Sequence, residues 1–219
     1  MNKSLAAVAA LAMFAGSADA KVSFGECPKM EYIDNFDASR YSGKWYEIVR
    51  DRQNPYSIST DCVTKEFAPF NAEEKSMDLY FRGYYFLKMD YMGVNGTLYQ
   101  CDEGSPDTWT CQATMGGGSH RSPIMVWNTD YDNFDISYSC KSIFGGKMKF
   151  ETFAVASRDP VITDENLEKV KAIVKENIPQ YDLDTASGLY WTRQKNWCQY
   201  DWKFDNQTMP AVEDKTFLN

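Results

Sequence analysis

The chemistry available to this 219-residue chain rests on six cysteines, one histidine and an acid and a base on neighbouring strand-like runs. The cysteines are Cys27, Cys62, Cys101, Cys111, Cys140 and Cys198. Their even number reads as three disulfides, and composition alone leaves the pairing open. Cys101 and Cys111 flank the turn signal Asp102-Glu103-Gly104-Ser105-Pro106-Asp107, close enough to staple that hairpin. No CxxC or Cys/His spacing suggests a metal, and the one histidine, His120, follows a flexible Gly116-Gly117-Gly118-Ser119 loop. With the thiols assigned to bridges, acid–base catalysis would rest on Glu47 and Lys65.

These residues need an oxidising compartment, and the N-terminus provides an address for one. Lys3, the apolar run Leu5 to Phe14 and Ala18-Asp19-Ala20 read as a signal peptide over residues 1–20, cut after Ala20. The remainder, 21–219, is long enough for a single secreted domain with a sizeable core, and no later run is long enough to span a membrane. The net charge of −8 argues against nucleic acid and anionic membranes as partners. Asn95-Gly96-Thr97 and Asn206-Gln207-Thr208 are glycosylation sequons, which belong at the surface.

The elements that must position these groups are strands. Tyr41-Ser42-Gly43-Lys44-Trp45-Tyr46-Glu47-Ile48-Val49-Arg50 alternates large and polar side chains, with Trp45, Glu47 and Val49 on one face. A tryptophan at its mouth reads as a plug for a closed end. Strand-like runs follow at 62–67, 76–86, 97–101, 108–114, 123–128, 134–141 and 149–158, joined mostly by short turns. Eight such runs predict an all-β, antiparallel up-and-down barrel over about 41–158, closed to remove its edges. One helix is expected over about 163–178, capped by Thr163, with Leu167, Val170, Ile173, Val174 and Ile178 as its apolar stripe. The stripe should lie outside the barrel, with Tyr46 and Ile48 as candidates to receive it. An aromatic tail over 183–219 holds Tyr190, Trp191, Trp197, Tyr200, Trp202 and Phe204, suited to docking a partner, capping the mouth or packing under the helix.

Three separated segments together resemble the lipocalin family. Gly43-Lys44-Trp45 is similar to its G-x-W at the first strand, and Thr129-Asp130-Tyr131 to its T-D-Y turn between the sixth and seventh. Arg158, after Ser157, is similar to the arginine that packs across the tryptophan. The resemblance covers about residues 27–198 and is greatest to the apolipoprotein D, bilin-binding and crustacyanin branch, whose pattern implies Cys27–Cys140, Cys62–Cys198 and hence Cys101–Cys111 bridges. It also implies structural roles at the barrel base for Gly43, Trp45, Thr129, Asp130, Tyr131 and Arg158. Where relatives carry a large aromatic four residues before the arginine, this chain has Ala154.

A barrel of this size admits one small molecule. Parity from Trp45 and Arg158 places Glu47, Val49, Val63, Lys65, Phe67, Met77, Leu79 and Phe81 on the cavity wall, with Ile124, Val126, Ser137, Ser139, Phe150, Thr152, Ala154 and Ala156 from the later strands. Lys65 is expected to pair with Glu47 or an acidic ligand head group, or else to snorkel at the rim. The resemblance implies a carrier of a fatty acid, sterol, retinoid, carotenoid or bilin, with no cofactor beyond that ligand and with monomer and dimer both open. An enzyme acting on a lipid or isoprenoid, and an interaction module with a vestigial cavity, are the alternatives.

Overall fold

The computed structural model describes residues 21–29, 33, 36–52, 59–99, 112–115, 121–122, 126–185 and 188–204, of which 112–115 and 121–122 are described as backbone. The signal peptide, His120, Ile124, Cys101, Cys111 and Asn206 lie outside the described residues.

Two-residue alternation through most of this chain produces strands, and eleven are described: β1 (Lys21–Phe24), β2 (Gly43–Asp51), β3 (Thr60–Phe67), β4 (Ser76–Tyr85), β5 (Asp90–Tyr99), β6 (Gln112–Met115), β7 (Arg121–Ser122), β8 (Val126–Thr129), β9 (Phe134–Ile143), β10 (Met148–Ser157) and β11 (Leu189–Trp191). A turn of helix, α1 (Ala38–Tyr41), precedes β2, and α2 (Asp164–Asn177) follows β10. All form one antiparallel sheet in the order β7-β6-β5-β4-β3-β2-β10-β9-β8, with β1 added to β10 and β11 to β2. The sheet curls on itself. Leu98 of β5 and Val126 of β8, far apart along that order, share one buried cluster with Trp45, Phe67, Met77, Leu79 and Ala156. The expected all-β antiparallel barrel class is therefore observed. Strand β5 begins at Asp90, earlier than the run expected at 97–101, and β1 and β11 were not anticipated.

A second core lies outside the sheet. Val170, Val174 and Ile178 pack on Phe134, Ile136, Tyr138, Phe153 and Val155, with Ile162 and Ile173 at the edge. Thr163 caps α2 by accepting from Asn166 N, and Asp164 and Glu165 occupy the positive first turn. The helix does not settle on Tyr46 and Ile48. From β2 it takes Val49, while Tyr46 lies under the tail, edge-on to Tyr200 and Trp202 at 4.9 and 5.5 Å.

The described part of the tail divides: Leu183, Leu189 and Trp191 join the helix-side core, one of the expected placements, while residues 197–204 run down the outer wall of β2 to β5. Trp197 packs on Tyr84, Arg82 bonds Gln199 O and Asp201, and buried Glu66 accepts Lys203 N at 2.6 Å and Phe204 N at 2.7 Å. Lys203 also reaches Asn95, so the first sequon's side chain is exposed but engaged. The bridges Cys27–Cys140 and Cys62–Cys198 are present, the second fastening the tail to β3. It closes a loop with a sequence separation of 136 residues. Replacing Cys62 and Cys198 together with serine should cost about 2–4 kcal/mol in urea unfolding. Limited proteolysis should then cut the tail first, and a tail still protected in the variant would show that the aromatic contacts suffice alone.

Another device on the outer wall is Glu151, fully buried on β10. It accepts from Ser23 of β1 at 2.7 Å, Tyr138 of β9 at 2.8 Å and Gln180 beyond the helix at 2.7 Å, and pairs with Lys149 at 3.0 Å. Burial raises its pKa, but these four donors outweigh it and hold the carboxyl below its ordinary value. A depressed carboxyl adds stability that is present above its unfolded pKa, about 4.3, and is lost as pH falls through the lower folded value. Glu151→Gln should therefore flatten the acid limb of a stability-versus-pH curve. An unchanged acid limb would remove Glu151 from the account.

Candidate functional site: the barrel interior

The closed end is built from β2 and the residue after β10. Gly43 has φ +105°, and a Cβ there would stand 3.1 Å from Arg158 Nη1, so glycine serves both the backbone and the close approach. Trp45, fully buried, donates its indole N–H to Tyr41 O at 2.9 Å, and Arg158 lies 3.7 Å over its ring. The same guanidinium donates to the carbonyls of Arg40, Tyr41, Ser42, Lys44 and Tyr131 at 2.8–3.3 Å. Burial draws its pKa down to about 10, against the pull of Tyr41 and nearby acids, which leaves it charged at neutral pH. The T-D-Y turn supports this end. Thr129 Oγ1 donates to Phe134 O and accepts from Tyr131 N, Asp130 accepts from Asn133 and Phe134, and the Tyr131 hydroxyl accepts Asp37 N. All six expected base residues converge here.

Around Trp45, at and below its level in the register, the interior is apolar on one side. Phe67, Met77 and Leu79 are buried in the inner cluster, Phe81 packs on it, and Val126 joins from β8. Val63 is also buried, its Cγ2 3.0 Å from where a Cβ on Gly83 would be. The β9–β10 side is small and hydroxylic. Ser139 and Thr152 share a 2.7 Å hydrogen bond, Ser137 donates to Asp135, Ala156 joins the inner cluster, and Phe150 is half-buried higher up.

Val49 is not on this wall. The pairing of β2 with β10 shifts between Ala156↔Glu47 and Val155↔Val49, a bulge that sets two residues of β2 against one step of β10. The extra residue reverses parity, so Val49 turns to the helix-side core and Arg50, paired with Ala154, takes the inner face. Arg50 stacks on Tyr190 at 4.6 Å and is the neighbour that faces Ala154.

Lys65 does not pair with Glu47, the partner expected for it within the protein. Its Nζ lies 3.5 Å from Asp135 Oδ2, both side chains buried, while Glu47 pairs with Arg50 and accepts from Thr192 at 2.7 Å. Neither basic group snorkels. Strands β3 and β9 are not neighbours in the sheet, so the Lys65–Asp135 pair crosses the barrel floor. Burial raises the Asp135 carboxyl above its ordinary value even though Lys65, Ser137 and Tyr41 oppose it. Tyr41, fully buried beside it, is pushed well above the phenol range. Asp135, Arg50, Tyr190 and Thr192 were the inner groups that strand parity missed. Asp135 was the accessible one, since it shares parity with Ser137 and Ser139.

An antiparallel barrel plugged at one end by a tryptophan under an arginine, walled by apolar residues and backed by one outer helix, defines a calyx-type protein. Residues 42–192 match the lipocalin / cytosolic fatty-acid binding protein family, and the chain belongs to the lipocalin family. Within it the chain is similar to bilin-binding protein of Pieris brassicae, 30% identical over 143 residues that cover 64% of this chain and 71% of that one. It is 25% identical to apolipoprotein D of Bos taurus over 77% of this chain and 85% of the relative, and 28% identical to the crustacyanin-A1 subunit of Homarus gammarus over 74% and 81%. Among solved structures, insecticyanin from the tobacco hornworm Manduca sexta superposes with a TM-score of 0.68 at 20% identity, covering 83% and 93% of the two chains. Lobster apocrustacyanin A1 gives 0.65 at 23%, covering 85% and 96%. These two likenesses bear on the fold.

Proposed function

We propose that this chain is a secreted carrier that holds one small hydrophobic molecule inside its barrel. The observation that carries the reading is the interior itself: apolar Phe67, Met77, Leu79, Phe81 and Val126 pack round Trp45 at the sealed end, and the small residues Ser137, Ser139, Thr152 and Ala154 pair across β9 and β10 above it. The ligand classes in view are fatty acid, sterol, retinoid, carotenoid and bilin, and the name of the Pieris relative supports including the last. Two ion pairs, Lys65–Asp135 and Glu47–Arg50, tune the polarity of the floor and side wall. Among the described residues the inner charges Lys65, Asp135, Glu47 and Arg50 lie in pairs, which favours a container over acid–base catalysis.

The test is a fluorescence titration of purified protein with one member of each ligand class. Saturable quenching of tryptophan emission at about one ligand per chain is expected, because Trp45 forms the floor of the site. Leu79→Arg, which places an uncompensated charge on the wall, should abolish it. An absence of saturable quenching by all five classes would contradict the carrier reading.

A further inference from the structure

The exposed large apolar side chains of this protein are not scattered. Phe24, Phe86, Leu87, Met89, Phe144 and Trp197 all lie at the end of the barrel opposite Trp45. The register fixes this placement. Gly43 pairs with Phe67 and Phe67 with Leu79 at the base, whereas Thr60 pairs with Tyr85 at the other end, where the 86–89 turn follows. Met148 pairs with both Ile143 and Phe24, which brings the 144–147 turn and the end of β1 to that same rim. Leu87, Met89, Phe24 and Phe144 are 74, 79, 86 and 61% exposed. Only Val161 stands exposed at the base among the described residues.

We infer that this rim docks on a zwitterionic lipid surface and that the bound molecule passes between barrel and lipid there without crossing bulk water. Docking stands on the rim alone; the transfer step rests on the carrier reading above. Four observations point to lipid. The apolar groups form two separate tips, the 86–89 turn with Trp197 and the 144–147 turn with Phe24, whereas a protein partner needs one contiguous, packed patch. The apolar surface is continuous with the inside, since exposed Met92 and Val94 pair with Gly83 and Phe81 on the inner face. Lys88 and Lys147 stand beside the tips together with Asp90 and Glu26, so each tip carries both signs of charge and suits a zwitterionic headgroup layer. The net charge of −8 disfavours anionic membranes and leaves zwitterionic ones. Met89 and Phe144, at φ 51° and 50°, are large residues in the left-handed region where asparagine is common, so the turns themselves do not call for apolar side chains.

The experiment uses ligand-free protein and phosphatidylcholine vesicles in a flotation assay. The wild type should float with the vesicles, and Leu87→Ser/Met89→Asn/Phe144→Asn should lower the floated fraction by about tenfold or more. The substitutions suit the exposed turn positions, and circular dichroism checks the fold. Retinol serves as the transfer probe. Its transfer rate from the barrel to acceptor vesicles should rise with vesicle concentration for the wild type and become independent of it in the triple variant, with equilibrium retinol binding unchanged. A wild type that stays in the dense fraction, or a triple variant that floats equally, would overturn docking. Self-association abolished by the triple variant, with no flotation of the wild type, would assign the rim to a second copy and equally overturn it. Flotation without retinol binding sustains docking and counts against the carrier reading for that class alone.

Discussion

Lys65→Met should cost about 3–5 kcal/mol at neutral pH, because it strands the Asp135 carboxylate in the barrel floor without its counter-charge. Asp135 is fully buried and Lys65 nearly so, so water does not take over the lost partner's role. Joint replacement, Lys65→Met with Asp135→Asn, should recover most of the loss, since a neutral amide there needs only Ser137 and Tyr41 nearby. A double-mutant cycle in urea unfolding reads the coupling directly. Single and double variants equal in stability to wild type would mean that the two groups are solvated rather than paired. Because Lys65 is already neutralised, the single variant should weaken acidic and neutral ligands alike, through the damaged floor. Selective loss of acidic ligands would instead show that Lys65 meets the ligand.

Arg158→Leu should be at least as damaging, at about 3 kcal/mol or more. The guanidinium serves five carbonyls of α1, β2 and the Tyr131 turn while covering Trp45. Leucine would fill part of the volume but take a donor from all five carbonyls at a largely buried site, of which Tyr41 O keeps the Trp45 indole N–H. Arg158→Lys keeps the charge and loses the planar fork, so it should recover only part of the stability. The check is the unfolding midpoint together with the near-ultraviolet circular dichroism of Trp45. A leucine variant with both signals unchanged would show that the base closes without the arginine.

How much of this was visible in the residues follows from the range of the interactions. The base was readable because Gly43, Trp45, the Thr129-Asp130-Tyr131 turn and Arg158 match motif residues of the lipocalin resemblance, and Gly43 also meets a local backbone need at φ +105°. Met77, Leu79 and Phe81 were readable because their alternation is uninterrupted. Val49 was not, since a bulge adds one residue to β2 and leaves no mark in composition. Strand β9 shows a different limit. Its apolar set, Phe134, Ile136 and Tyr138, faces the helix, while its polar set faces the lumen, so polarity alone points the wrong way there. The Lys65–Asp135 pair joins residues 70 apart across the barrel, a contact that no local pattern encodes. The tail's course depends on Glu66 receiving two backbone N–H groups from residues far along the chain, which is equally invisible locally.

The central claim is that the barrel interior holds a small hydrophobic molecule, and the most direct measurement is an inventory of what the protein carries. The protein would be purified from its native source, its absorption spectrum recorded and an organic extract analysed by mass spectrometry. The expected result is one lipid-class molecule in near-stoichiometric amount, lost when Leu79→Arg is purified in the same way, with a visible band if that molecule is a carotenoid or bilin. An extract with no such molecule, from a folded protein whose tryptophan emission is also indifferent to all five ligand classes, would contradict the claim.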